Sequence, residues 1–230
     1  MTYPKGFAVA IDGPVGVGKS TTAKLLAQIL GITYIDTGAI YRAITFYCIQ
    51  NGIDISNAKA LENSLQNINI DLQHKNGAQR VYLNNQDITD FIRTQEISDV
   101  TSLIAANAAV REKLLPMQQA VAQQGAVVMD GRDIGSHVLP WAQIKIYLDA
   151  APEIRARRRL KDLEEKGQPA NFAQVLQETI TRDERDKTRP ISPLIQTPDA
   201  IYINTADMPP MKVAEKIAEL VTNYQLNNQE

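Results

Sequence analysis

The chain has 230 residues, 44% of them hydrophobic and 22% charged, which suits one substantial α/β domain or a core with a small insert. A formal net charge of −2 excludes a global attraction to nucleic acid or to an anionic membrane. Cys48 is the single cysteine, which excludes an internal disulfide and suits the cytoplasm, while no apolar run approaches a membrane span and the N-terminus lacks a signal-peptide pattern.

In chain order, a first strand lies near residues 6–12, where Phe7 to Ile11 (FAVAI) is an apolar run. A helix follows from Thr21 to about Leu30, and Gly31 ends it as a C-terminal glycine should. Ile32 to Ile35 reads as a short second strand. The next helix runs from about Ala39 to Gln50 and stops at Asn51-Gly52. Near residue 65 the pattern changes. Ile68, Ile70 and Leu72 alternate with polar residues, as do Val81 and Leu83, and Asn76-Gly77 between them signals a hairpin. Helical segments come near 95–106 and 108–124. Ala126 to Met129, Ile144 to Leu148 and Ile201 to Ile203 read as further buried strands. Charged helices span roughly 152–166 and 171–186, and an amphipathic helix from about Pro210 closes the chain. Five short apolar strands alternating with helices imply an α/β fold: a mostly parallel five-stranded sheet, helices on both faces, and a small antiparallel insert.

Ligands of such sheets bind at the carboxyl ends of the strands. Three motifs fall there: Gly13 to Ser20, Asp36-Thr37-Gly38, and Asp130-Gly131-Arg132-Asp133. The first, Gly13-Pro14-Val15-Gly16-Val17-Gly18-Lys19-Ser20, reads G-x-x-x-x-G-K-S/T between a strand and a helix. Its backbone N–H groups can wrap a polyphosphate, the helix start adds free donors, Lys19 would reach the β- and γ-phosphates, and the Ser20 hydroxyl would bind Mg²⁺. Guanine recognition of the GTPase type is unsupported, because no Asn-Lys-x-Asp run occurs. A motor or transporter ATPase wants a strand ending in adjacent acids, and Asp130 followed by Gly131-Arg132 is a poor fit.

Seven of the twelve arginines lie between residues 155 and 189: Arg155, Arg157, Arg158, Arg159, Arg182, Arg185 and Arg189. Arg42 and Arg132 follow two strand ends. Phosphoryl transfer is catalysed mostly by positioning and electrostatic clamping, and the planar guanidinium fork binds phosphate oxygens in pairs. A phosphate acceptor is already anionic, so it needs no strong base but must be held against a second polyanion. A hydroxyl acceptor would want a carboxylate base, for which Asp36 is the plausible candidate. A nucleotide-dependent switch with no transfer activity is the remaining class. Nucleic-acid binding is not expected: Glu153, Asp162, Glu164, Glu165, Glu178, Asp183, Glu184 and Asp186 interleave with the arginines, and no aromatic platform accompanies them.

The segments Asp36-Thr37-Gly38-Ala39-Ile40-Tyr41-Arg42, Asp130-Gly131-Arg132-Asp133-Ile134-Gly135 and Arg182-Asp183-Glu184-Arg185-Asp186-Lys187-Thr188-Arg189, with the P-loop, resemble the bacterial cytidylate kinase family. Arg93-Thr94-Gln95-Glu96 and Ser192-Pro193-Leu194 fit as well, and the likeness runs from about residue 6 to 222. The resemblance implies transfer of phosphate from ATP to CMP or dCMP by a P-loop kinase. The residues themselves lead to the expectation of Mg²⁺ on Ser20, a cytoplasmic protein without nucleic-acid or membrane partners, and a monomer, since nothing suggests an obligate interface. The resemblance also implies a core of 1–36, 107–153 and 171–230, a monophosphate-binding region 37–106 whose insert lies near 63–106, and a helical lid at 154–170. By position, Gly13, Pro14, Val15, Gly16, Val17, Gly18, Lys19, Ser20 and Thr21 would hold the ATP phosphates. Arg42, Arg132 and Arg189 would clamp the monophosphate, with Thr37 and Tyr41 beside it. Ser102, Arg111 and Asp133 would read the cytosine edge, Arg182 and Asp186 the sugar hydroxyls, and Arg158 and Arg159 would close over the moving phosphoryl group. Thr37 stands where the family often has serine and keeps the hydroxyl. Blander roles stay open: Ser102 as a helix cap, Asp133 as a turn cap, and Asp186 as the i,i+4 partner of Arg182.

Overall fold

The computed structural model describes residues 2–228 apart from Asn76, Lys166 and Pro169, and apart from the side chain of Gln95. The chain divides into two compact units, one made of the residues up to Tyr34 and from Ala122 on, the other of Ile35–Val121. In order, the elements are β1 (Ala8–Asp12), α1 (Lys19–Leu30), β2 (Thr33–Asp36), α2 (Thr37–Gln50), α3 (Ala58–Leu65), β3 (Ile70–Lys75), β4 (Ala78–Leu83), β5 (Gln86–Asp87), α4 (Gln95–Ile104), α5 (Ala108–Gln123), β6 (Val127–Gly131), β7 (Ile144–Asp149), α6 (Pro152–Glu165), α7 (Phe172–Thr188), β8 (Ile201–Asn204) and α8 (Pro210–Asn227).

The first unit is built on a five-stranded sheet of order β2-β6-β1-β7-β8. β1 runs parallel to both β6 and β7, and β7 parallel to β8. β1 is buried at every residue, so both of its faces are covered, which is why its sequence is a continuous apolar run rather than an alternating one. Val9 and Ile11 of β1, Leu26 of α1, Val128 of β6, Ile146 and Leu148 of β7, and Val213 and Ile217 of α8 share one core. Helix α1 ends where expected, with Gly31 in the left-handed region and its N–H returned to the last turn. Helices α6 and α7 pack through a separate small core of Ala156, Leu163 and Val175.

In the second unit α2 opens on an Asp36 cap, whose carboxylate accepts from the Ala39 N–H at 3.0 Å. A three-stranded antiparallel sheet, β3-β4-β5, follows. The β3–β4 register closes at Lys75 and Ala78, with Gly77 at φ 75°. Asn76 of the expected hairpin turn lies outside the described residues. Ile40 and Ile44 of α2, Leu61 of α3, Val81 and Leu83 of β4 and Leu114 of α5 form the core of this unit.

Three elements go beyond the sequence reading, the first being β5, which at two residues is too short to show an alternation. Helix α3 buries only Leu61, Ser64 and Leu65, too short a stripe to carry a periodic signal. A π-helical turn over Ile134–Val138 continues the Asp130–Asp133 motif. It is held from outside its own segment: the Asp12 carboxylate accepts from the Ile134 N–H at 2.8 Å and the Gly135 N–H at 2.7 Å.

Candidate active site

The loop after β1 is shaped by its surroundings. Gly13 has φ 149°, and a Cβ there would overlap the Leu148 carbonyl oxygen of β7, so the neighbouring strand leaves room for glycine alone. The chain then turns through Gly16 and Gly18 into α1, which starts at Lys19. The Lys19 ammonium is buried and donates to the Pro14 carbonyl at 2.6 Å. Burial, and then the positive charge of Arg132, push its pKa well down, against the opposing pull of Asp130, Asp186 and Asp12. These charges therefore converge on one place, at the carboxyl ends of β1 and β6, where Ile11 pairs with Asp130 and Asp12 with Gly131.

Ser20 Oγ donates to Asp130 Oδ2 at 2.9 Å, and Tyr34 donates its hydroxyl to Asp130 Oδ1 at 2.8 Å. A hydroxyl beside a carboxylate is a hard-oxygen donor pair of the kind Mg²⁺ takes in P-loop proteins, the phosphates completing its shell. Among the described residues no group of three or more His, Cys, Asp or Glu is placed to hold a metal ion by itself. Neither Asp130 nor Tyr34 was assigned a role from the sequence. The signal for Asp130 is its place at the carboxyl end of a strand, without the second adjacent acid that would make it stand out.

Beyond Asp130, Arg132 Nε donates to Asp186 Oδ2 at 2.8 Å, and Arg189 donates to Asp133 Oδ1 at 3.2 Å. Burial raises the Asp186 pKa, but Arg132 and the neighbouring Arg182 and Arg189 outweigh it and hold the carboxyl below its ordinary value. Helix α7 stops at Thr188, and Arg189 is extended (ψ 138°), as a residue before proline must be. Its Nε donates to the Ser192 carbonyl at 2.6 Å, and the Leu194 N–H returns to Asp186. The guanidinium is thus fixed by the Pro190–Leu194 loop as well as by Asp133.

In the second unit, the buried Asp36 accepts from Arg42 at 2.8 Å and from Arg93 at 2.9 Å. Burial raises its pKa, but these two guanidiniums and the Ala39 N–H prevail and keep it below the usual carboxylate range. Arg111 is buried, donates to the Ala105 carbonyl at 2.9 Å and lies over the Tyr41 ring at 5.6 Å. Thr37 and Ser102 are buried, and next to Ser102 the Thr101 and Thr45 hydroxyls are 3.1 Å apart.

The arginines of α6 divide by environment. Arg155 is fully engaged inside the protein. Arg157 stacks on Phe172 at 5.5 Å. Arg158 donates to the Thr205 and Ala206 carbonyls at the end of β8. Arg159 is partly buried.

Residues 9–223 match the model of the cytidylate kinase family. This chain belongs to the cytidylate kinase family. It is 48% identical to the cytidylate kinase of Shouchella clausii over 220 residues, covering 96% of this chain and 98% of the relative. To the cytidylate kinase of Bacillus subtilis it is 43% identical over 217 residues, covering 94% and 97%. The family match spans both units, so cytidylate kinase resemblance rests on the whole chain and not on the P-loop alone. Among the described residues no helix is long and apolar enough to cross a membrane.

Of the expected site residues, the first unit brings together Lys19, Ser20, Arg132, Asp133, Asp186 and Arg189. The second unit brings together Tyr41 and Arg111, and places Arg42 on the carboxylate that caps α2.

Proposed function

We propose that the chain transfers the γ-phosphoryl group of ATP to CMP or dCMP, giving ADP and the cytidine diphosphate. The observation that carries this reading is the state of Asp36. A hydroxyl acceptor needs a carboxylate base, and the candidate for that role is committed to Arg42, Arg93 and the start of α2, with its pKa held down. A carboxylate so occupied is a poor base. A phosphate acceptor, already ionised, needs none.

In this reading Gly13 to Thr21 cradle the ATP phosphates with backbone N–H groups, and Lys19 exchanges the Pro14 carbonyl for phosphate oxygens. Mg²⁺ would be held by Ser20 and Asp130, and it neutralises developing charge on the phosphates. Arg42, Arg132 and Arg189, with Thr37 and Tyr41, hold the monophosphate. Ser102, Arg111 and Asp133 read the cytosine, whose amino group donates and whose N3 and O2 accept. Arg182 and Asp186 take the sugar hydroxyls. An oxygen of the CMP phosphate attacks the γ-phosphorus in line; the new P–O bond forms as the bond to the β,γ-bridging oxygen breaks, and ADP leaves. The lid at 154–170, of which Lys166 and Pro169 lie outside the described residues, carries Arg158 and Arg159 onto the moving group and expels water. The core of 1–36, 107–153 and 171–230 and the monophosphate region 37–106 are the other parts of this scheme. A cytoplasmic monomer completes the reading; the buried, free thiol of Cys48 suits a reducing compartment.

Initial rates with CMP, dCMP, UMP, AMP and shikimate as acceptors test the proposal. It predicts CMP and dCMP well ahead of the rest, since uracil presents N3–H and a carbonyl where cytosine presents acceptor and donor. UMP, AMP or shikimate turning over faster than CMP would overturn it.

A further inference from the structure

Arg155 is one of seven arginines in a segment whose cationic character suggests a phosphate clamp, yet its side chain is 3% exposed and every donor group is directed inward. Nε donates to the Ala150 carbonyl at the end of β7, at 2.7 Å. Nη1 donates to the Val15 carbonyl of the P-loop at 2.9 Å. Nη2 pairs with the buried Asp183 on α7. The loop is also moulded on the backbone of this residue: a Cβ at Gly16 would come within 3.2 Å of the Arg155 Cβ and 3.3 Å of its carbonyl oxygen.

We infer that Arg155 is a positioning residue for the donor nucleotide, a strut that holds the Val15 carbonyl inward so that the P-loop N–H groups face the phosphates. The physical need is plain. A peptide unit has two ends, and a loop that offers N–H groups to an anion must turn its carbonyls away from it. A carbonyl turned inward is buried and requires a donor. The guanidinium fork supplies one to Val15 from Nη1 while Nε and Nη2 fix it to β7 and to Asp183, a spread of three nitrogens that one ammonium nitrogen does not reproduce. Asp183 serves the strut twice over: it compensates a buried charge, and it ties the loop to the helix that carries Asp186 and leads to Arg189. The same contacts link the P-loop to the first turn of α6, so donor binding and the position of that helix are mechanically joined.

The inference rests on the reading of Gly13 to Thr21 as the ATP cradle, and the test separates the two. Calorimetric titrations of ATP and of CMP are made on the wild type and on Arg155→Lys, which keeps the charge opposite Asp183 while giving up the fork. The expected result is a folded variant, by circular dichroism, whose Kd for ATP rises about tenfold while its Kd for CMP stays within about twofold. Arg155→Gln combined with Asp183→Asn leaves no lone buried charge and is read in the same way, which keeps the test decisive if the lysine variant does not fold. ATP affinity unchanged in a folded variant, or lost equally with CMP affinity, overturns the strut. Wild-type protein that binds CMP but not ATP overturns the cradle itself.

Discussion

Ser20 and Asp130, 110 residues apart in sequence, share a hydrogen bond of 2.9 Å across the carboxyl ends of the sheet, with Tyr34 on the other carboxylate oxygen. If this pair is the protein's share of the Mg²⁺ shell, Asp130→Asn raises the Mg²⁺ concentration needed for half-maximal rate by about 10- to 100-fold. Tyr34→Phe, which frees one oxygen of Asp130 without removing the ligand, produces a smaller shift in the same direction. ATP affinity measured in EDTA stays unchanged in both variants. A loss of metal-free ATP binding equal to the loss with Mg²⁺ would show that the pair serves the loop and not the ion.

Arg189 and Asp133 are both buried and paired, so the proposed phosphate clamp is joined to the proposed base-reading acid. Asp133→Asn removes the counter-charge of the buried Arg189, as alanine would, but it keeps the size and an acceptor oxygen for the guanidinium, so it is the milder variant. The variant is expected to lower the preference for CMP over UMP by about tenfold or more, mostly through CMP. Arg189→Ala is expected to lower kcat by about 100-fold with the CMP-over-UMP ratio little changed. Steady-state kinetics with both nucleotides check this. A ratio that moves in the Arg189 variant and not in the Asp133 variant would reverse the two assignments.

Asp12 gives a pH-dependent prediction. Burial pushes its pKa up to about 7, and the negative charge of Asp133 adds to this, against the Ile134 and Gly135 N–H bonds and Lys19. The folded state therefore holds a proton more tightly than the unfolded chain. The stability from this group is fully present below the ordinary carboxylate pKa of about 4 and is lost as pH rises to about 7. Asp12→Asn does not titrate there. The wild-type advantage in thermal unfolding should shrink between pH 4 and 7, by at most about 1.4 kcal/mol per pH unit, and level off above that range. An advantage constant with pH would contradict the assignment.

Much of this architecture was legible because local rules act over short stretches. The apolar runs at Ala8–Asp12, Val127–Gly131 and Ile144–Asp149 mark strands buried on both faces, and Gly13 to Ser20 is a contiguous motif. Asp130, Tyr34 and Arg155 were not legible in their roles. Ser20 meets Asp130, and Val15 meets Arg155, only because parallel strands far apart in sequence lie side by side. Arg155 misleads in a further way: its neighbours make it look like part of a cationic surface, whereas its burial against Asp183 makes it internal scaffolding. Helix α3 is too short for periodicity, and the Ile134–Val138 turn depends on a carboxylate more than a hundred residues earlier.

In the proposed reaction two anions are brought together and a phosphoryl group passes between them. Phosphorus NMR of ATP, Mg²⁺ and CMP incubated with the protein follows that event directly. ADP and CDP signals are expected to rise together in equal amounts at the expense of ATP and CMP. ADP accompanied by inorganic phosphate with CMP untouched, or nucleotide binding with no product at all, would contradict it.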